Sequence, residues 1–409
     1  VSELQQLAPL RARLAAVFGV SADSLLPVRG YAHAVDIVSW SGAPAEFINE
    51  VEIDWFDDGS RVEEAASGTS LIVYREIGAA YGAETPLCGA LIAAPETITR
   101  FAAAVGGDYL HPLIAAETLK ALAPPRLALR DARIAAFRSE RARLVEQLAR
   151  AEGVRSVMAG DGRSLTILAD NADAVMARAA AYEASLTRIE DNVIAIAIGA
   201  AVSNDRALAA FGSATPRSPR IGETIRETKE TKVVARVDLN RAGDVRIKTG
   251  AAYFDHMLEQ IAAHGGISLT LACEGDVEVD LHHTIEDCAL ALGEALSKAL
   301  GERRGISRYG FTLPMDEAEA RVSIDLGGRP YAVFEGAFAA PLIGQYPTEM
   351  TAHVFRSLAQ SMGAAIHVAV KGENDHHKTE ACFKAFARAL RAAIAVEGDA
   401  VPSTKGAIL

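Results

Sequence analysis

The sequence predicts an α+β protein in two parts, the second built from a pair of similar strand-and-helix halves. Three observations predict this. The stretch Gly212 to Gly222 (GSATPRSPRIG) interrupts the chain near its middle with Ser, Arg and two prolines, which do not sit inside a helix. Hydrophobic periodicity changes character on either side of it. The second part contains an internal repeat: the run HHTIEDCALALGEAL from His282 is echoed by HHKTEACFKAFARAL from His376. A repeat of this length is a structural unit used twice. The expected organisation is a domain over 1–211, a linker over 212–222 and a second domain over 223–409.

The first part reads as mixed α/β. Leu4 to Phe18 has apolar residues at helical spacing, Pro95-Glu96 opens a helix to Val105, and Leu127 to Glu152 is a long, Arg-rich amphipathic helix. The short apolar runs Ser70–Tyr74, Ser164–Leu168 and Asn192–Ile198 read as strands. In the second part Thr231–Leu239 and Arg321–Leu326 alternate like half-buried strands. Asp255–His264, Thr284–Leu300 and Lys378 to Ala395 are helical. Each copy of the repeat follows an acidic, strand-like stretch and opens a helix.

The formal net charge of −12 argues against a general nucleic-acid or anionic-membrane surface, which needs a basic stripe. A small anionic substrate in a local basic pocket is compatible with it. Cys88, Cys273, Cys288 and Cys382 form no CxxC pair, as expected of reduced thiols. The N-terminal stretch has no apolar core of signal length, and no run reaches about 18 apolar residues. The expectation is a soluble cytoplasmic protein without membrane or nucleic-acid partners.

Each repeat carries H-H-x-x-E at a helix start. Residues i and i+4, or i and i+3, share a helix face, so Glu286 and Glu380 can each sit beside a histidine of their own motif. Adjacent histidines diverge by about 100° around the axis, so each pair is expected to serve two different ions. One such motif alone would read as a surface helix; two at equivalent places in a repeat point to metal binding. A mixed imidazole and carboxylate set suits Mn²⁺, Fe²⁺ or Zn²⁺, and a coordination number near six favours Mn²⁺ over Zn²⁺. His367 lies inside the apolar strand AAIHVAV and reads as structural.

At this point the chain resembles a known family. From about Arg226 to the end it is similar to imidazoleglycerol-phosphate dehydratase. The stretches that carry the resemblance are RETKET (226–231), FDHML (254–258), GDVEVDLHHTIEDCALALG (275–293), RGISRYG (304–310), PMDEA (314–318), DLGGRPY (325–331), NDHHKTEACFKAFARAL (374–390) and PSTKG (402–406). The resemblance implies ribosomal S5-like half-domains related by pseudo-symmetry. It implies a two-manganese ligand set of His256, His282, His283, Glu286, His353, His376, His377 and Glu380. His353, in TAHVFRSLA, has the least distinctive surroundings. The implied phosphate ligands are Arg308, Arg329, Ser403 and Lys405, with Gln260 and His264 also facing the substrate. The implied assembly is a large homo-oligomer of trimers, twenty-four chains in its fullest form, with sites between subunits.

The implied reaction is loss of water from imidazole-glycerol phosphate to give imidazole-acetol phosphate, a step of histidine biosynthesis. Bound metal would polarise the imidazole ring so that it can expel the neighbouring hydroxyl. The catalytic set is then Glu230, for proton transfer, with Glu286 and Glu380 as ligand carboxylates. General acid–base help of this kind contributes about 10² to 10⁴ in rate. The planar forks of the arginines suit a phosphate.

The first part resembles histidinol-phosphate aminotransferase over 10–38, 51–58, 79–98, 132–154 and 192–199, and departs from it where chemistry is needed. Ala79 stands where that family has its catalytic lysine, so pyridoxal phosphate has no amine for an internal Schiff base. Ala195 stands in place of the substrate-binding arginine, and the segment between Val38 and Val51 is too short for the rest of a cofactor domain. Asp54 alone matches a cofactor-ring aspartate. The expectation is a degenerate, shortened α/β aminotransferase-like domain with no functional pyridoxal phosphate. Open alternatives are a bifunctional lyase–aminotransferase, an inactive scaffold, and a manganese-storing or manganese-sensing protein.

Overall fold

The structure is a computed structural model that describes residues 6–42, 46–49, 60–68, 70–82, 87–105, 110–159, 163–199, 201–213 and 220–403. The chain divides into two compact units, Val1–Ser218 and Pro219–Leu409.

The first unit contains α1 (Ala8–Phe18), β1 (Leu25–Val28), α2 (Tyr31–Ser41), β2 (Glu46–Asn49), α3 (Ser60–Ala66), β3 (Leu71–Ile77), β4 (Cys88–Ile92), α4 (Pro95–Val105), α5 (Pro112–Ala121) and α6 (Pro124–Ala149). Then follow β5 (Val154–Met158), β6 (Ser164–Ala169), α7 (Ala172–Ala181), β7 (Leu186–Glu190), β8 (Val193–Ala197) and α8 (Ala201–Ala210). One mixed sheet has the order β1-β4-β3-β2 and one antiparallel sheet the order β5-β6-β8-β7. Along β3, Ile72 and Tyr74 face a core with Ile37 and Phe101, while Val73 and Ile77 face another with Leu14 and Leu144. Both faces of this sheet are covered, which is why Leu71–Tyr74 of β3 and all of β4 read as unbroken apolar runs. The long helix begins at Pro124, earlier than its apolar period suggests, because prolines at the first helical positions sacrifice no internal hydrogen bond.

The second unit contains β9 (Ile221–Glu227), β10 (Thr231–Asp238), β11 (Val245–Lys248), α9 (Ala252–Gly265), β12 (Ser268–Gly275) and α10 (His282–Leu300). After these come β13 (Tyr309–Met315), β14 (Ala318–Asp325), β15 (Tyr331–Glu335), the short pair β16 (Leu342–Ile343) and β17 (Tyr346–Pro347), α11 (Met350–Met362), β18 (Ala365–Lys371) and α12 (Asp375–Ala393). Ile221 and Gly222, expected in the linker, are instead the first residues of β9. Numbered within each sheet, both have the order 3-4-2-1, with the first and second strands antiparallel, the second and fourth antiparallel, and the fourth and third parallel. Alternate residues such as Val233, Ala235 and Val237, or Ala320, Val322 and Ile324, join a single core with all four helices.

The helices pair across the repeat. α10 lies on β9 and β10 and packs against α11; α12 lies on β13 and β14 and packs against α9. Two glycines set the closest approach. A Cβ on Gly222 would collide with the carbonyl oxygen of Ala295 on α10, and one on Gly310 with that of Ala389 on α12. Each glycine is the second residue of the first strand of its sheet, and Ala295 and Ala389 stand at the same offset from His282 and His376. Helix and strand can touch backbone to backbone only because these positions lack a side chain.

Candidate functional site

Two clusters form where the paired helices meet near their N-termini. In the first, His282 Nε2 lies 3.7 Å from Glu286 Oε2, one turn along α10. His353 of α11 points its Nε2 to within 4.0 Å of Glu286 Oε1, and the rings of His282 and His353 are 5.0 Å apart. One ligand atom from each of the three residues lies within 4.8 Å of the others, a spacing that can close on one ion.

The second cluster draws on the matching residues of the other motif, in a looser spacing than the first. His376 Nε2 lies 3.4 Å from Glu380 Oε2 on α12, and His256 of α9 brings its Nε2 to 4.0 Å from Glu380 Oε1. The edge of Tyr253 packs on His376 with ring centres 5.2 Å apart. A lysine that the motif reading did not single out completes this cluster: Lys384 Nζ is 2.8 Å from Glu380 Oε1. Burial pushes the Glu380 carboxyl up, but the Lys384 hydrogen bond and charge, with His256 and His376, outweigh it and hold it below the usual range. His264 is pushed down, first by burial and then by Lys384 and Arg388. Gln260 donates to the His256 carbonyl at 3.3 Å and lies beside its ring.

Six of the eight expected ligands thus fall into two sets of three. The other two, His283 and His377, turn away from these sets, as adjacent residues on a helix must. His283 Nδ1 is 3.4 Å from Asp276 Oδ2, and His377 Nδ1 is 2.7 Å from Glu317 Oε2. Both imidazoles are raised, first by the hydrogen bond to that carboxylate. Glu317 is pushed down to about 2 by the His377 bond and the backbone N–H of Asn374.

Glu230 is exposed in the turn between β9 and β10, where its backbone N–H donates to Thr228 Oγ1 at 3.2 Å. The hydroxyls of Thr228 and Thr231 donate to Asp287 of α10, which also pairs with Arg226. This ties the turn to the helix of the first cluster, and Glu230 contributes to raising His283.

Of the residues expected at the phosphate, Arg308 lies elsewhere, close to Ser403 in the chain that follows Pro402. Arg308, with φ at +67°, makes a two-point pair with Asp325, and its Nη1 donates to the Pro402 carbonyl at 2.9 Å. Arg329 is exposed, Ser403 is half-buried one residue beyond that carbonyl, and Lys405 lies outside the described residues. The backbone N–H of Arg308 donates to Ala393, the last residue of α12. At about 1.5 Å per residue, Arg308 is therefore roughly 25 Å along α12 from His376. Within one chain Arg308 is well removed from the second cluster.

In the first unit Ala79 opens a short 3₁₀ turn, Ala79–Tyr81, after β3, and Ala195 lies on β8 opposite Thr166 and Thr187. Asp54 is outside the described residues. Among the described residues no helix is long and apolar enough to cross a membrane.

Residues 249–390 match the family model of imidazoleglycerol-phosphate dehydratase. A stretch of 191 residues is 58% identical to the histidine biosynthesis bifunctional protein HisB of Stenotrophomonas maltophilia (strain R551-3), covering 47% of this chain and 54% of that protein. The chain thus spans about half the length of the curated relatives it matches. The imidazoleglycerol-phosphate dehydratase of Staphylococcus aureus subsp. aureus N315 is similar at 31% identity over 43% of this chain and 99% of its own, with a TM-score of 0.40. The histidinol-phosphate aminotransferase of Sinorhizobium meliloti, solved with pyridoxal-5'-phosphate, is 13% identical over 50% of this chain and 80% of its own, with a TM-score of 0.39. At that level no statement about this chain's chemistry follows from it. By the family match and the identity to its relatives, the C-terminal region of the chain belongs to the imidazoleglycerol-phosphate dehydratase family.

Proposed function

We propose that the second unit is a hydro-lyase that removes water from imidazole-glycerol phosphate to give imidazole-acetol phosphate in L-histidine biosynthesis, in the cytoplasm, with two Mn²⁺ per site. The observation that carries this is the pair of His–Glu–His sets, each drawing a histidine and a glutamate from one copy of the motif and a second histidine from a helix of the other half. The donors fit a divalent ion of intermediate softness, and the spacing of the first set suits one ion. The Nδ1 of His353 is buried without a partner among the described residues, so its Nε2 is the atom available to a ligand. His256, His282, His283, Glu286, His353, His376, His377 and Glu380 would hold the two ions. When bound, these supply Lewis-acid polarisation of the substrate's ring nitrogens.

The chain's own residues do the rest. Glu230 moves the proton between the reacting carbon and the enol, as a carboxylate on an exposed turn tied to α10. Arg308, Arg329, Ser403 and Lys405 hold the phosphate. Asp325 and Pro402 engage three of the five N–H groups of Arg308 and leave two for the ligand. Holding this remote group fixes the reacting atoms in place.

The separation along α12 and the outward turn of His283 and His377 support a site completed between chains. We therefore propose a homo-oligomer of trimers, built on two duplicated, S5-like halves related by pseudo-symmetry. The first unit, over about 1–211, is proposed as a shortened aminotransferase-like domain without transaminase activity, since Ala79 offers no amine. Added pyridoxal phosphate should give no aldimine absorbance, and a borohydride-trapped adduct would overturn that part.

The deciding experiment is turnover of imidazole-glycerol phosphate by the purified chain. Activity should vanish after chelation and return with Mn²⁺. Full activity in a sample shown by elemental analysis to hold no metal would refute the reading.

A further inference from the structure

His377 and His283 are each held at one ring nitrogen by a carboxylate that no motif reading assigned, and the two carboxylates come from different parts of the frame. Glu317 lies in the turn between β13 and β14, next to Asp316, which adopts a positive φ of 48°. An aspartate tolerates that conformation better than most residues. The turn aims Glu317 at the start of α12, where it makes two bonds. Its Oε1 accepts from the backbone N–H of Asn374 at 3.0 Å, and its Oε2 meets His377 Nδ1 at 2.7 Å. Asn374 in turn caps the helix, its Oδ1 accepting from the N–H groups of His376 and His377. An ionised carboxylate can only accept, so the Nδ1 of His377 carries the proton. The lone pair of the neutral ring is then on Nε2, and the ring remains 31% exposed. Asp276, in the loop before α10, does the same for His283, whose ring is 42% exposed.

We propose that Glu317 and Asp276 are positioning residues for metal binding, fixing the tautomer and direction of His377 and His283 so that each presents Nε2 to an ion outside its own three-residue set. The inference rests on the metal reading above and adds to it the two groups that set up the outward-facing ligands. A histidine whose far nitrogen donates to a carboxylate is a more basic and better-oriented ligand. Removing such a partner costs about 10- to 100-fold in metal affinity. Glu317 also clamps the helix cap, so its loss should loosen both bonds at once, whereas Asp276 acts on the ring through one longer contact.

The test is Mn²⁺ titration of the metal-stripped full chain against a competing fluorescent chelator, with the thermal unfolding of each variant recorded. The unaltered chain should bind two ions per chain. Glu317→Ala should weaken one of them about 10- to 100-fold and leave the other unchanged. Adding Asp276→Ala should weaken the second as well. Glu317→Gln, which keeps the shape and an acceptor oxygen, should fall between the unaltered chain and Glu317→Ala. If Glu317→Ala fails to fold, Glu317→Gln decides. Affinities equal to those of the unaltered chain in a folded Glu317 variant overturn the proposal. An unaltered chain that binds no Mn²⁺ would instead overturn the metal reading itself, so the two failures are distinct.

Discussion

The two sheets of the second unit place the same residue at one backbone position in two different settings. The residue just before the second strand is a glutamate in both: Glu230 before β10 and Glu317 before β14. Glu317 is bound to His377 and to the cap of α12. Glu230 carries no side-chain hydrogen bond among the described residues, because the equivalent histidine, His283, is held by Asp276 from a different loop. The difference teaches how a repeated frame acquires unequal halves. Where a loop carboxylate takes over the holding of the ring, the turn carboxylate is released, and a free carboxylate can exchange a proton. A second inequality follows the same logic. Glu380 is paired with Lys384 and 11% exposed, whereas Glu286 is 37% exposed and has Leu290 at the position matching Lys384.

The sharpest way to break this comparison is Glu230→Gln. It should lower kcat by about 10² to 10⁴, the usual worth of a general acid–base group, while Mn²⁺ and substrate binding persist. Near-normal turnover would remove Glu230 from proton transfer and leave the two turns functionally alike. A smaller effect tests the frame itself. Gly222→Ala and Gly310→Ala each force a Cβ into the backbone of a packed helix, and overpacking of that kind costs about 1–3 kcal/mol. Denaturant melts should show similar losses for the two. A marked loss for one and none for the other would mean that the sheets do not seat their helices in the same way. The smallest effect is expected of Lys384→Leu, which makes the second cluster resemble the first. A partly exposed ion pair is worth at most about 1 kcal/mol, so Mn²⁺ affinity at this cluster should rise by about two- to fivefold. A fall in affinity on titration would show that Lys384 supports the site rather than competing for Glu380.

Much of the candidate site was legible because it is local. His282 with Glu286, and His376 with Glu380, are one helical turn apart, so the motif alone put each pair on one face. The divergence of adjacent histidines was legible for the same reason. His353 was the weakest expectation, since nothing near it in the chain reveals that α11 lies beside α10. Asp276, Glu317 and Lys384 lie inside the same motifs, but their spacing assigns them no role. Two of the three act on a histidine through loop or turn geometry that spacing does not encode. Arg308 was expected to meet phosphate, and the structure adds that Asp325 already engages one side of its fork. The linker ends before Ile221, because Gly222, which reads as a turn residue, is where β9 seats against α10.

The amino-acid sequence by itself determined that the longer helices exist, the alternating strands, the doubled motif and the kind of chemistry its side chains allow, because each depends on neighbours within a few residues. Only the tertiary structure decided which histidine faces which glutamate, which carboxylate holds a ring and which stays free, and that Arg308 sits at the far end of α12. Those outcomes depend on how helices from opposite halves pair over two sheets. Such pairing is set by side-chain packing summed over the whole core, which no short stretch of chain contains.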